Sequence, residues 1–226
     1  FCSSNSNCSK KRMIGLEDFK RVIDYFMNNG GIEEISLSGG EPFLHPDLIE
    51  MVKYTKSLNI RTVIFTSGVI YKEKPTKDIE EYYLKELNNA LREVTEKEPD
   101  NQFLINKIHE YYSRMLNPNE LSGISRETLN ELKNIGLDKI VFDFQAYECK
   151  TDQELMGRKE ISRQALFDSI IRASSFEFNI DVHFIPMKIN YKEIKDILEI
   201  LEIAKVNNIS ILNFIPQGRG KNNKDR

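Results

Sequence analysis

One rhythm constrains the fold of this chain more than anything else in it. Short apolar runs suited to strands alternate with amphipathic stretches suited to helices. Residues 33–37, 61–65, 139–144, 180–185 and 209–214 are rich in Val, Ile and Phe and read as strands. Before the first of them, Phe19, Val22, Ile23, Phe26 and Met27 recur at helical spacing until Gly30-Gly31 stops the run. Pro46 opens a second helix, in a first turn where proline is favoured, with Leu48, Ile49, Val52 and Leu58 on its apolar side. Ser125 is an N-cap for a helix carrying Leu129, Leu132 and Ile135, and Gly136 ends it. A helix over 162–176 follows. Asn190 and Glu193 make a capping-box-like start to another, with Ile194, Ile197, Leu198, Leu201 and Ala204. Strands joined through helices need crossover connections, so the sheet is expected to be parallel.

The rhythm breaks once. From 71 to 120 the chain is strongly charged and reads as two helices, 76–95 and 101–116. Regular connections are far shorter, so this stretch is expected to be a helical insertion. An opening helix needs a strand before it, so the intact unit is expected to hold six strands. Phe1 stands first with no initiator Met, so the chain is expected to be a piece lacking that first strand. Residues 1–220 are then the core domain, and 221–226 a polar basic tail.

Composition excludes several classes. The net charge of −3 over 226 residues gives no basic field for nucleic acid. No apolar stretch approaches the roughly 20 residues of a membrane span, and no signal-peptide pattern is present. Three cysteines, Cys2, Cys8 and Cys149, make no disulfide framework, so a reducing cytoplasm is the expected compartment.

In a parallel barrel or open sheet all strand carboxyl ends share one face, where small-molecule sites form. The ends supply Ser38-Gly39-Gly40-Glu41, Thr66-Ser67-Gly68, Asp143 to Gln145, His183 to Pro186 and Asn213 to Gln217. A strand ending before Phe1 would add Cys2. Two adjacent glycines let the backbone approach a ligand, Glu41 is an acceptor for an ammonium group, and Pro42 stiffens the exit. The glycines lack the Lys-Ser/Thr of a phosphate loop, and neither G-x-G-x-x-G nor G-x-S-x-G occurs. His45, His109 and His183 have no zinc-ligand spacing.

Cys2 before a helix, then Leu37-Ser38-Gly39-Gly40-Glu41-Pro42-Phe43, then Thr66-Ser67-Gly68, resembles the radical S-adenosylmethionine (AdoMet) superfamily. That family carries a C-x3-C-x2-C loop after its first strand, and Phe1-Cys2 matches the end of the motif. The other two cysteines are then expected upstream of Phe1. The resemblance implies an α/β fold, a partial (β/α)6 TIM-like barrel with a parallel sheet and the helical insertion after its third strand. It implies a 4Fe-4S cluster held by cysteine thiolates, with AdoMet filling the open iron. Reductive cleavage of AdoMet would give a 5′-deoxyadenosyl radical that takes hydrogen from a substrate, with the protein orienting the reactants.

By the same resemblance Cys2 is a cluster ligand and, with Glu41, a catalytic residue. Ser38, Gly39, Gly40, Glu41 and Pro42 receive the AdoMet ammonium, and Thr66 and Ser67 lie near the methionyl or ribose part. Asp143 and Gln145 face ribose hydroxyls, and His183 and Pro216 the ribose or adenine. An electron donor of flavodoxin or ferredoxin type is implied, and peptide or protein modification is one option for an unknown substrate. The competing readings are a barrel that binds AdoMet or a partner without redox chemistry, and an aldolase-type barrel. The last would want a lysine at a strand end, whereas Lys139 starts its strand and Lys188 lies past the next.

Overall fold

The computed structural model describes residues 13–71, 77–116, 121–157 and 162–215. Cys2, Cys8, Pro216 and the basic tail lie outside them. In chain order the elements open with α1 (Leu16–Asn28), β1 (Glu34–Leu37), a 3-10 turn (Pro42–Leu44), α2 (Leu48–Ser57) and β2 (Arg61–Thr66). Then come β3 (Ile70–Tyr71), α3 (Lys77–Lys97), α4 (Gln102–Leu116), β4 (Leu121–Ser122), α5 (Arg126–Ile135) and β5 (Lys139–Asp143). The chain continues through α6 (Cys149–Met156), α7 (Ser162–Ser175), β6 (Ile180–Phe184), a 3-10 turn (Tyr191–Glu193), α8 (Ile194–Ile203) and β7 (Asn208–Ile211).

Five strands form one parallel sheet in the order β1-β2-β5-β6-β7, the open curved array of a partial barrel. Its register sets Leu37 against Ile64, Thr66 against Phe142 and Asp143 against His183. Alternate residues point to opposite faces. One face sends Ile64, Ile140, Phe142, Ile180, Val182 and Phe184 into a core with Val52, Leu129, Leu132, Leu166, Ile170, Ile197 and Leu201 of the surrounding helices. The other carries Phe65, Val141, Asp143, Asp181 and His183. Phe19 and Ile23 of α1 pack with Met51 and Ile60 in a smaller core beside β1. A second compact unit, Tyr71–Ser122, holds α3 and α4, whose chain reversal places Asn101 to cap α4 by accepting the Leu104 N–H at 3.0 Å.

Several local expectations are corrected. Pro46 lies in the turn before α2, and Asp47 is the N-cap. Asn190 and Glu193 make no capping box: no side chain caps either turn there. Asn190 instead donates to the carbonyls of Gln145 (2.8 Å) and Ile185 (3.0 Å), and Glu193 accepts the amides of Tyr147 and Glu148. The loops after β5 and β6 offer buried backbone groups that outcompete a local cap. Helix α6 is unforeseen; only Leu155 and Met156 give it an apolar side, and Gly157 ends it in the left-handed region at φ 64°. The last strand stops at Ile211, short of 214. Ser125 does cap α5, accepting the Thr128 N–H at 3.1 Å, and Gly136 closes it at φ 87°.

A single buried hydroxyl joins three parts of the main unit. Ser169 Oγ on α7 lies 2.6 Å from the Gly68 carbonyl, to which it donates, and accepts the Ile124 N–H at 2.8 Å. Ser169→Ala would leave both backbone groups buried without that partner. The expected cost is about 2 kcal/mol, seen as a lower urea midpoint with an unchanged slope.

Candidate functional site

The parallel register brings the carboxyl ends of β1, β2, β5 and β6 to one side of the sheet. At the end of β1 the chain is exposed over Ser38, Gly39 and Gly40. Gly39 has φ +151°, a backbone state that side chains with a Cβ rarely adopt. A Cβ built on either Gly39 or Gly40 would meet nothing within 4 Å, so the peptide groups border open space.

Glu41 does not continue outward into that space. Its side chain turns back across the sheet to the end of β2. Oε1 accepts the Thr66 hydroxyl at 2.6 Å and the Phe43 N–H at 3.2 Å. Oε2 accepts the Ser67 N–H at 2.8 Å and the Ser67 hydroxyl. Four donors thus occupy a carboxylate that offers about four lone-pair sites. Bonds of this kind, with one partner ionised, are the stronger class. The Phe43 contact also caps the turn opened by buried Pro42. Thr66 Oγ1 further accepts the Gly68 N–H at 2.9 Å. Gly68 sits at φ +65°, where a Cβ would press to 2.8 Å from Leu166 and 3.0 Å from Phe142. Only glycine fits that turn.

On the next two strands Asp143 and His183 stand side by side in register. The His183 ring meets Phe65 edge-on at 5.4 Å, filling the face between β2 and β6. Gln145 is 1% exposed and fully engaged within the chain. Its amide nitrogen donates to Asp143 and to the His183 carbonyl (3.0 Å), and its oxygen accepts the Ile185 N–H at 2.9 Å. It pins the ends of β5 and β6 together, and buried Asn190 extends the web. Sequence reading missed Asn190 here because its spacing to Glu193 imitates a helix cap. The strand ends therefore hold Ser38 to Pro42, Thr66, Ser67, Asp143, Gln145 and His183 on one side, with Glu41, Thr66 and Ser67 bonded to one another.

Lys139, at the opposite end of β5, pairs with Asp181 at 3.1 Å and supplies no strand-end amine. Cys149 is a half-buried free thiol at the start of α6. Among the described residues no group of three or more His, Cys, Asp and Glu is arranged to hold a metal. No helix among them is long and apolar enough to cross a membrane.

The family model described as "Radical SAM superfamily" matches residues 1–226. A probable GTP 3',8-cyclase of Saccharolobus islandicus is 23% identical over 228 residues, covering 98% of this chain and 54% of that protein. The PqqA peptide cyclase of Gluconobacter oxydans is 33% identical over 66 residues, 29% of this chain and 18% of that one. Streptococcus suis SuiB, solved with its precursor peptide SuiA, has a TM-score of 0.60 at 16% identity, over 93% of this chain and 35% of SuiB. SuiB solved with S-adenosylmethionine gives 0.58 at 15% identity, over 91% and 35%. The chain spans about half the length of the Saccharolobus relative and a smaller share of the Gluconobacter one.

Glu41→Gln tests the anchoring carboxylate. The amide must point an N–H at a donor of Thr66, Ser67 or Phe43. We expect a loss of about 1–3 kcal/mol in urea unfolding and faster hydrogen exchange at the Ser67 amide. Unchanged exchange there would show that the carboxylate does not hold the end of β2.

Proposed function

The chain belongs to the radical SAM superfamily, and we propose that it forms the core of an enzyme that binds AdoMet at the Gly-Gly-Glu loop and removes a hydrogen atom from a substrate. The family uses a 4Fe-4S cluster and AdoMet. The observation that carries the reading is the bonding of Glu41 to Thr66 and Ser67. It fixes an open, glycine-lined backbone at the one side of the sheet where strand ends converge.

The residues present fit AdoMet. Ser38, Gly39 and Gly40 offer backbone carbonyls to the methionyl ammonium, with no Cβ in the way at either glycine. Glu41 places negative charge beside that ammonium. Ser67 has one hydroxyl proton and two acceptors, Glu41 and, at 3.3 Å, the Val69 carbonyl. Turning to Val69 frees a lone pair of Glu41 for the ligand. Pro42 keeps the exit rigid. Asp143 and His183 face the ribose and adenine, and Gln145 holds the two strands that carry them. Cys2 is the cluster ligand of this chain. When bound, the cluster supplies the electron that splits the AdoMet sulfur–carbon bond. The protein's own part is to hold AdoMet in one pose and keep water from the reactive carbon.

A peptide is the substrate class we favour. The higher local identity is to a peptide cyclase, which supports this over the nucleotide named for the other relatives. An electron donor of flavodoxin or ferredoxin type and a cytoplasmic setting complete the proposal.

The test is cleavage. With reconstituted cluster, dithionite and AdoMet, the parent protein carrying the upstream cysteines should release 5′-deoxyadenosine, and Gly39→Val should weaken AdoMet binding about tenfold through backbone strain. Binding without cleavage would overturn the enzyme reading in favour of a non-catalytic AdoMet barrel.

A further inference from the structure

The loop that carries the two glycines has a second anchor, four residues beyond the first. The 3-10 turn Pro42–Leu44 delivers the chain to His45, whose own N–H donates to the Pro42 carbonyl at 2.9 Å. The ring of His45 then reaches in two directions. Nδ1 lies 3.1 Å from the backbone nitrogen of Asp47. Nε2 lies 2.9 Å from the carbonyl oxygen of Ile14, across 31 residues of sequence.

The two contacts fix each other's chemistry. A backbone N–H only donates, so Nδ1 must accept and carries no proton. A neutral imidazole then has its proton on Nε2, where it donates to the Ile14 carbonyl. Pro46 has no N–H, so the first amide available to the ring after His45 is that of Asp47. The local turn therefore selects the tautomer, and the tautomer makes the long-range bond.

What that bond joins is specific. Ile14 directly precedes Gly15, the N-cap of α1. It belongs to the segment leading from Cys2 into the first helix. His45 belongs to the loop whose other end is bonded to β2 through Glu41. The geometry points to His45 as a positioning residue that fixes the AdoMet-binding loop relative to the entry of α1. This rests on the proposed AdoMet site. Glu41 fixes the loop to the sheet, and His45 fixes it to the entry of α1.

The contact itself is tested on this chain without any cofactor. It has only three histidines, His45, His109 and His183, so 15N-histidine NMR resolves each ring, with His45→Gln assigning the signal. A neutral ring protonated on Nε2 is expected; an Nδ1-protonated ring, or an even mixture of tautomers, overturns the proposal. The functional arm uses the parent protein, with its upstream cysteines and reconstituted cluster, and reads AdoMet affinity. His45→Asn keeps an acceptor for Asp47 but cannot reach Ile14, and should weaken AdoMet binding about fivefold, the share of one hydrogen bond. His45→Gln places an N–H near the Nε2 position and should recover most of that loss. Equal affinities for the two variants would overturn the positioning role. A wild-type protein that binds no AdoMet would instead sink the underlying site, with the ring tautomer still deciding the strap.

Discussion

The site depends on one carboxylate. Glu41 leaves the end of β1 and spends its acceptors on Thr66, Ser67 and Phe43, so two neighbouring strand ends become one rigid edge. Parallel strands bond to each other only along their lengths, and nothing in a sheet ladder controls the loops beyond the last pair. A half-buried anion receiving donors from the adjacent strand supplies that control. The glycines can be open to solvent because the residue after them is not.

The same logic recurs two strands away with neutral groups. Gln145 and Asn190, both buried, bind the backbone leaving β5 to the backbone leaving β6. Buried polar groups cost free energy unless satisfied, and here each amide finds backbone partners. The strand-end side of the sheet is thus stitched at two places, by an acid between β1 and β2 and by amides between β5 and β6. Asp143 and His183 owe their side-by-side placement to the second stitch as much as to strand register.

Much of the fold was legible because its signals are local. Apolar strands between amphipathic helices, a serine before α5 and a glycine after it each act over a few residues, and the parallel sheet followed from crossovers. The candidate site was half legible: the Gly-Gly-Glu run marked an open, glycine-lined strand end with a carboxylate, but not the direction in which Glu41 turns. Partners such as Thr66 are set by register between strands, which no single stretch encodes. Asn190 and Glu193 carried the spacing of a cap and served distant loops instead. Pro46 was placed inside a helix that Asp47 starts. Helix α6 was missed because so short an element draws its stability from packing Leu155, with little periodicity to announce it.

Ser169 has a consequence for what lies between its partners. Gly68 and Ile124 flank the stretch that holds the second compact unit, and one hydroxyl of α7 holds both flanks against the main core. The closure of that stretch is therefore set by the core as well as by the pairing of β3 with β4 at its own ends. Loop entropy grows only with the logarithm of length, about 0.6 kcal/mol for each doubling. The sheet can carry a short turn or a whole helical hairpin at this point for nearly the same free energy. The position is a natural graft junction, where sequence can be exchanged without redesigning the sheet.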